Sequence, residues 1–283
     1  MEAIPLPTQF NPRLSGTDIA PRPEGAAPAV LRLRRQRPAH DRPPVRPLRH
    51  RWYHSCKHAA DFALALALSA FALPMVALAA LLVKLTSRGP ALYTQTRVGQ
   101  EGRLFRIYKL RTMVHDCEAL TGPRWSLPGD PRVTAVGRLL RVSHLDELPQ
   151  LLNVLRGEMS LIGPRPERPE FVPELERALP GYWQRLTVRP GVTGLAQVQQ
   201  PPDTEVDGVR RKLNFDLYYV ERMNPWLDLR LILATALKCA GVPFGWIGLI
   251  LHLPDPNDHL DGDSRPRGEA VRSQTLASES YLP

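Results

Sequence analysis

The chain has 283 residues, 43% hydrophobic and 23% charged, with a formal net charge of +9. That balance is ordinary for a folded protein of one or two domains. Cys56, Cys117 and Cys239 stand far apart with no CxxC pair, which excludes a disulfide framework and a zinc finger.

The charge is unevenly spread. Ten of the 30 prolines lie before Trp52, with ten arginines and four acids, so most of the net charge falls there. Such a stretch cannot build a core, and residues 1–51 are expected to form a disordered Arg/Pro-rich tail. A basic chain raises nucleic acid or anionic membrane as partners. The tail reads as a solvated segment beside a membrane anchor, and no nucleic-acid partner is expected. The first 50 residues show no apolar segment of the secretory kind.

From Phe62 to Val83 run 22 residues without a charge. A straight helix of that length covers roughly 33 Å, enough for a hydrocarbon core of about 30 Å. Pro74 lies just past the middle, where it removes a backbone hydrogen bond and bends the helix. Both flanks are basic, with Arg49, Arg51 and Lys57 before and Lys84, Arg88, Arg97 and Arg103 after. The positive-inside rule therefore gives no orientation, and a single span and a re-entrant, Pro-kinked helix both fit residues 52–88. Lys57 and Asp61, at i and i+4, are placed to pair at the interface.

Residues 89–253 carry the rest. Ala91–Thr96 and Arg103–Arg111 read as the strands of a β-hairpin turning at Gly99-Gln100-Glu101-Gly102. Alternation puts Lys109 and Arg111 on one face. After Leu148 the pattern is mostly helical: Leu151, Leu152 and Leu155 form a short helix ending near Gly157. Two further stripes follow, one from Phe171 to Leu186 broken at Pro180-Gly181, the other from Trp226 to Leu237. Such stripes are usually core faces, but Trp-bearing ones in a tethered chain lie in the membrane interface. Val242–Leu253 is too short to span and reads the same way, and residues 254–283 read as a polar, disordered tail. The expected class is mainly α with a short β-hairpin (α+β).

The chemistry concentrates between Asp130 and Gln197. Asp146-Glu147 is set among Arg132, Arg138, Arg141, Arg165, Arg168 and Arg189, with rigid turns at Gly163-Pro164-Arg165-Pro166 and Arg189-Pro190-Gly191. Guanidinium groups on rigid turns suit a polyanion. Asp146-Glu147-Leu148-Pro149 opens a helix with Asp146 as N-cap, but a helix start also favours an incoming phosphate. An ionised carboxylate needs no base before attacking phosphorus. The P-loop, the Rossmann glycine fingerprint, HExxH and GxSxG are absent.

Lys109-Leu110-Arg111-Thr112-Met113, Asp130 to Thr134, Arg141 to Gln150, Asn153 to Pro166 and Arg189 to Val198 follow in order. Together they resemble the bacterial sugar transferases, the monotopic polyprenyl-phosphate phosphoglycosyl transferases, from about Cys56 to Cys239. The resemblance implies a re-entrant helix kinked at Pro74, a catalytic face toward the cytoplasm at the bacterial inner membrane, and Mg²⁺ dependence. It implies that Asp146 attacks the sugar-bearing phosphorus of a UDP-sugar, expels UMP and passes the phospho-sugar to polyprenyl phosphate. Glu147 would assist through Mg²⁺, shared with Asp146, or through proton handling. Arg141 and Arg165 would bind phosphate, with Lys109, Arg111 and Arg132 as further candidates. Leu73 stands where many relatives carry Ser before the kinking proline, and His144 where a small polar residue is common. The competing reading is a non-enzymatic single-pass adaptor with a basic cytosolic domain. Neither the sugar, the pathway fed nor the oligomeric state is legible.

Overall fold

The computed structural model describes residues 51–119, 129–200 and 206–255. Apart from Arg51, Pro254 and Asp255, the two tails expected to be disordered lie outside these residues.

Helix α1, Arg51–Thr86, runs 36 residues and continues through Pro74. Lys57, Asp61, Ala65, Ala72, Ala79 and Val83 recur at helical spacing and form its buried stripe. The alanines let the helix approach the body closely along its length. Its other face shows Phe62, Leu66, Phe71, Leu78, Leu81 and Leu85. Leu73 is 71% exposed and Phe71 76%, an apolar strip that water does not favour. Lys57 and Asp61 do pair, at 3.4 Å, but in a buried setting, and Lys57 lies nearer to Asp228 at 2.5 Å. The pair belongs to the contact between helix and body.

Strands β1 (Leu92–Val98) and β2 (Leu104–Leu110) form the antiparallel hairpin, in register from Leu92↔Leu110 to Val98↔Leu104. The turn takes left-handed backbone at Glu101 and Gly102, which sets its glycine. Arg111 lies beyond the end of β2, so strand alternation does not govern its side chain.

The rest is mainly helical. Helix α2 (Ala135–Val142) leads through a 3₁₀ turn, Leu145–Gln150, into α3 (Leu151–Leu155). Strand β3 (Ser160–Ile162), α4 (Val172–Ala178), a 3₁₀ turn at Tyr182–Thr187, β4 (Gly191–Thr193) and α5 (Leu195–Gln199) follow. The chain closes with α6 (Val206–Arg222), α7 (Pro225–Cys239) and α8 (Phe244–Leu251).

A parallel pair, β3 with β4, was not anticipated, because three residues are too few to show a period. Its glycines explain it. A Cβ on Gly163 would come within 2.5 Å of the Arg189 carbonyl, and one on Gly191 within 2.1 Å of the Gly163 nitrogen. The two proline-glycine motifs are therefore the two halves of one backbone contact.

The amphipathic stripes divide as their composition suggests. Leu175, Leu179, Tyr182 and Leu186 are core, packed with Val98 and Val172. On α7 and α8, Leu227, Leu231, Ala234 and Ile247 are buried, while Trp226, Leu229, Leu233, Trp246, Leu249 and Ile250 are exposed.

Candidate active site

The dyad sits in the 3₁₀ turn between α2 and α3. His144 opens that turn in left-handed backbone, φ 55°, a conformation for which His is among the enriched residues. Its side chain is exposed, in keeping with a surface histidine. Asp146 and Glu147 lie inside the first turn, and neither caps it: the N-cap is His144, without a side-chain cap bond. The N-cap reading of Asp146 is thereby replaced, because the chain passes through the six-residue 3₁₀ turn before α3 begins.

Glu147 is held by two cations. Lys109, at the end of β2, donates to Oε1 at 2.7 Å, and Arg165 donates to Oε1 at 2.8 Å and to Oε2 at 3.4 Å. Burial pushes the Glu147 carboxyl up, but Arg165 and Lys109 outweigh it and keep it well below the usual range.

Asp146 is 7% exposed and accepts no hydrogen bond among the described residues. Burial raises its pKa to about 6, against the pull of Lys109, Arg165 and Arg141 and with the push of Glu147. One carboxylate is neutralised by contact, and its neighbour is buried within the same positive field without a hydrogen-bond partner among the described residues.

Supporting contacts fix this arrangement. Asn153, fully buried, accepts from the Tyr108 amide and donates to the Arg106 carbonyl, tying α3 to β2. The Lys109–Met113 and Asp130–Thr134 motifs meet: Val114 N–H donates to the Arg132 carbonyl, and Thr134 N–H to the Thr112 carbonyl. Thr134 then caps α2 by accepting from the Gly137 amide at 2.9 Å. A Cβ on Gly137 would sit 1.9 Å from the Thr112 carbonyl oxygen, so only glycine lets α2 lie this close. That approach brings Arg141 Nε within 2.9 Å of the Thr112 hydroxyl.

Residues 52–241 match the profile of the family described as bacterial sugar transferase. The chain belongs to that family. Among curated relatives of this sugar transferase, the UDP-N-acetylgalactosamine-undecaprenyl-phosphate N-acetylgalactosaminephosphotransferase of Aeromonas hydrophila is 44% identical over 162 residues, 57% of this chain and 38% of the relative. The UDP-glucose:undecaprenyl-phosphate glucose-1-phosphate transferase of Caulobacter vibrioides is 45% identical over 181 residues, 63% of this chain and 67% of the relative. An exopolysaccharide production protein of Rhizobium leguminosarum is 39% identical over 170 residues, 58% of this chain and 85% of the relative. The chain thus spans well under half of the first relative and most of the last.

The sequence-derived candidates in this sugar transferase fall into two groups. Asp146, Glu147, Lys109, Arg165 and Arg141 converge. Arg132 is occupied elsewhere by a two-pronged pair with Asp130, at 2.6 Å from Nη2 and 2.9 Å from Nε. Arg111 is buried and donates to the carbonyls of Pro90, Ser87 and Gly89, bracing the exit of α1. Pro74 lies exposed within α1.

Arg185 and Asp216 were missed. Arg185 pairs with buried Asp216 at 2.7 Å and donates to the Arg165 carbonyl at 2.7 Å, holding in place the loop that carries Arg165. Separated by 31 positions, they leave no sequence pattern to find.

Among the described residues no group of three or more His, Cys, Asp or Glu is placed to hold a metal ion. Mg²⁺ commonly takes one or two protein carboxylates and completes its shell with water and substrate phosphate. Asp146, without a hydrogen-bond donor among the described residues and with Glu147 beside it, fits that sparse kind of site.

Proposed function

We propose that this chain transfers a sugar-1-phosphate from a UDP-sugar to undecaprenyl or a related polyprenyl phosphate, releasing UMP and forming polyprenyl diphosphate-sugar. The observation that carries the reading is the carboxylate of Asp146, without a hydrogen-bond partner among the described residues and buried among Lys109, Arg165 and Arg141 in a member of this family. The relatives' names add the donor and acceptor classes. Since those names include both glucose and N-acetylgalactosamine, they leave the sugar open.

In the proposed first step an Asp146 oxygen bonds to the sugar-bearing phosphorus. The bond from that phosphorus to the bridging oxygen breaks, and UMP leaves with the electron pair. In the second step a polyprenyl phosphate oxygen attacks the same phosphorus and the Asp146 carboxylate departs. Neither nucleophile needs a base once ionised. Arg165 and Lys109, fixed by Glu147, face the diphosphate and offset its charge, and Arg141 adds a third cation. Asp146 and Glu147 would hold Mg²⁺, which supplies further charge neutralisation to the diphosphate.

The same proposal places the chain on the inner membrane with its catalytic side toward the cytoplasm. Helix α1 is long and apolar enough to cross a membrane. Its two ends nevertheless pack on one body: Lys57 meets Asp228, and Val83 packs with Leu110 and Leu140. That packing supports a re-entrant seating, with the exposed side chains of α7 and α8 in the interface. The test is UMP release from UDP-glucose and UDP-N-acetylgalactosamine, with Mg²⁺ and undecaprenyl phosphate in detergent. Release by the wild-type protein and silence from Asp146→Asn are expected, whereas equal release by both would remove Asp146 from the chemistry.

A further inference from the structure

At the other end of α7 from the dyad lies a cavity of ≈ 310 Å³, lined by Tyr218, Arg222, Asn224, Trp226, Arg230 and His252 among others. Trp226 and Lys238 are about 18 Å apart along this helix, and it is the far end, at Cys239, that feels the charge of Glu147. The cavity is therefore separate from the proposed reaction centre.

Its lining is basic and contains no acid among the described residues. Asp228, nearby on α7, is turned into the body toward Tyr53, Lys57 and Tyr219. Arg230 donates Nε to the Leu251 carbonyl at 2.6 Å, but its Nη2 is buried and meets no acceptor among the described residues. A buried donor left without an acceptor is costly, and a ligand oxygen would relieve that cost. Arg222 lies over the Tyr218 ring at 5.1 Å, which steadies its planar fork at the rim. Trp226 is 65% exposed, and Leu229, Trp246, Leu249 and Ile250 lie exposed on α7 and α8.

We propose that this cavity binds the phosphodiester headgroup of an anionic membrane phospholipid, with Arg230 and Arg222 on the phosphate oxygens and the acyl chains leaving over the apolar side of α7 and α8. Free phosphate offers the same oxygens but nothing for the apolar rim, so the rim selects the lipid. The proposal rests on the membrane seating given above.

The test reconstitutes the full-length protein in phosphatidylcholine nanodiscs containing a minor fraction of phosphatidylglycerol. Lipids retained on extraction are then counted by native mass spectrometry. The wild-type protein is expected to retain phosphatidylglycerol preferentially, with Arg230→Gln and Arg222→Gln each weakening retention about fivefold. Arg230 also supports the end of α8, so melting in neutral detergent checks that its variant is folded; exposed Arg222 carries the test if it is not. Undiminished retention in Arg222→Gln and in folded Arg230→Gln would overturn the site. Displacement of the lipid by inorganic phosphate alone would reassign the cavity to a free anion and overturn the lipid. Failure of the wild-type protein to float with pure phosphatidylcholine vesicles would instead sink the membrane seating beneath the proposal.

Discussion

At the foot of α1, Asp228 accepts from Tyr53 at 2.6 Å, Lys57 at 2.5 Å and Tyr219 at 2.8 Å, while Asp61 accepts from Ser160 at 2.6 Å. At the dyad, Glu147 is likewise held by two cations, but Asp146 beside it accepts from no donor among the described residues. The same residue types serve two ends. In the first cluster each carboxylate is committed to holding the helix on the body. In the second, one carboxylate orders the cations and the other is left for an incoming group. A satisfied buried network specifies structure, and a partly satisfied one costs stability that a substrate can recover.

The largest effect should come from the uncommitted carboxylate. Asp146→Asn is expected to lower turnover by about 10⁴-fold or more, measured as UMP release. The same variant should melt higher. The folded protein binds the Asp146 proton more tightly than the unfolded chain, with a pKa raised from 3.8 to about 6. Stability is therefore lost as pH rises through that window. Asparagine avoids the loss, worth about 1–3 kcal/mol at pH 7.5. A lower melting temperature for Asp146→Asn would erase the contrast between the clusters.

Asp228→Asn should do the reverse, since it leaves Lys57 with only the longer contact to Asp61. About 3–5 kcal/mol of stability should go, seen in denaturant titration, while activity per folded molecule stays within a few-fold. Glu147→Gln should fall between the two, with about 10²-fold slower turnover because Lys109 and Arg165 lose their common partner. Full activity in that variant would mean that the cations are ordered by something else. Arg185→Met frees the loop behind Arg165 and should cost about tenfold in kcat/KM per folded molecule, together with a lower melting temperature because Asp216 loses its buried partner. The smallest effect is one of shape: wild-type activity should climb through pH of about 6 as Asp146 ionises, then level. A flat profile from acid to neutral pH would contradict the raised pKa.

Long patterns made much of this legible in sequence. The 22 uncharged residues, the alternating hairpin and the stripes on α7 reported α1, β1, β2 and the exposed face correctly. The dyad and its basic neighbours were found because they are contiguous or sit in motifs. Contacts between distant residues escaped. Lys57 reaches Asp228 across 171 positions, and Arg185 reaches Asp216 across 31. Arg111 shows the opposite failure. Its position two residues after Lys109 suggested a shared face, but β2 ends at Leu110 and the side chain turns to backbone carbonyls near the end of α1. The short β3–β4 pair was written in Gly163 and Gly191, whose role as a close backbone approach needs the fold to be seen.

The most direct test is intact-mass analysis of the protein incubated with each UDP-sugar and Mg²⁺, without a polyprenyl acceptor. A mass gain equal to one sugar phosphate is expected on the wild-type protein, retained in Asp228→Asn, absent from Asp146→Asn, and discharged when polyprenyl phosphate is added. A donor that turns over with acceptor present but never labels the protein, or a label that persists in Asp146→Asn, would contradict it.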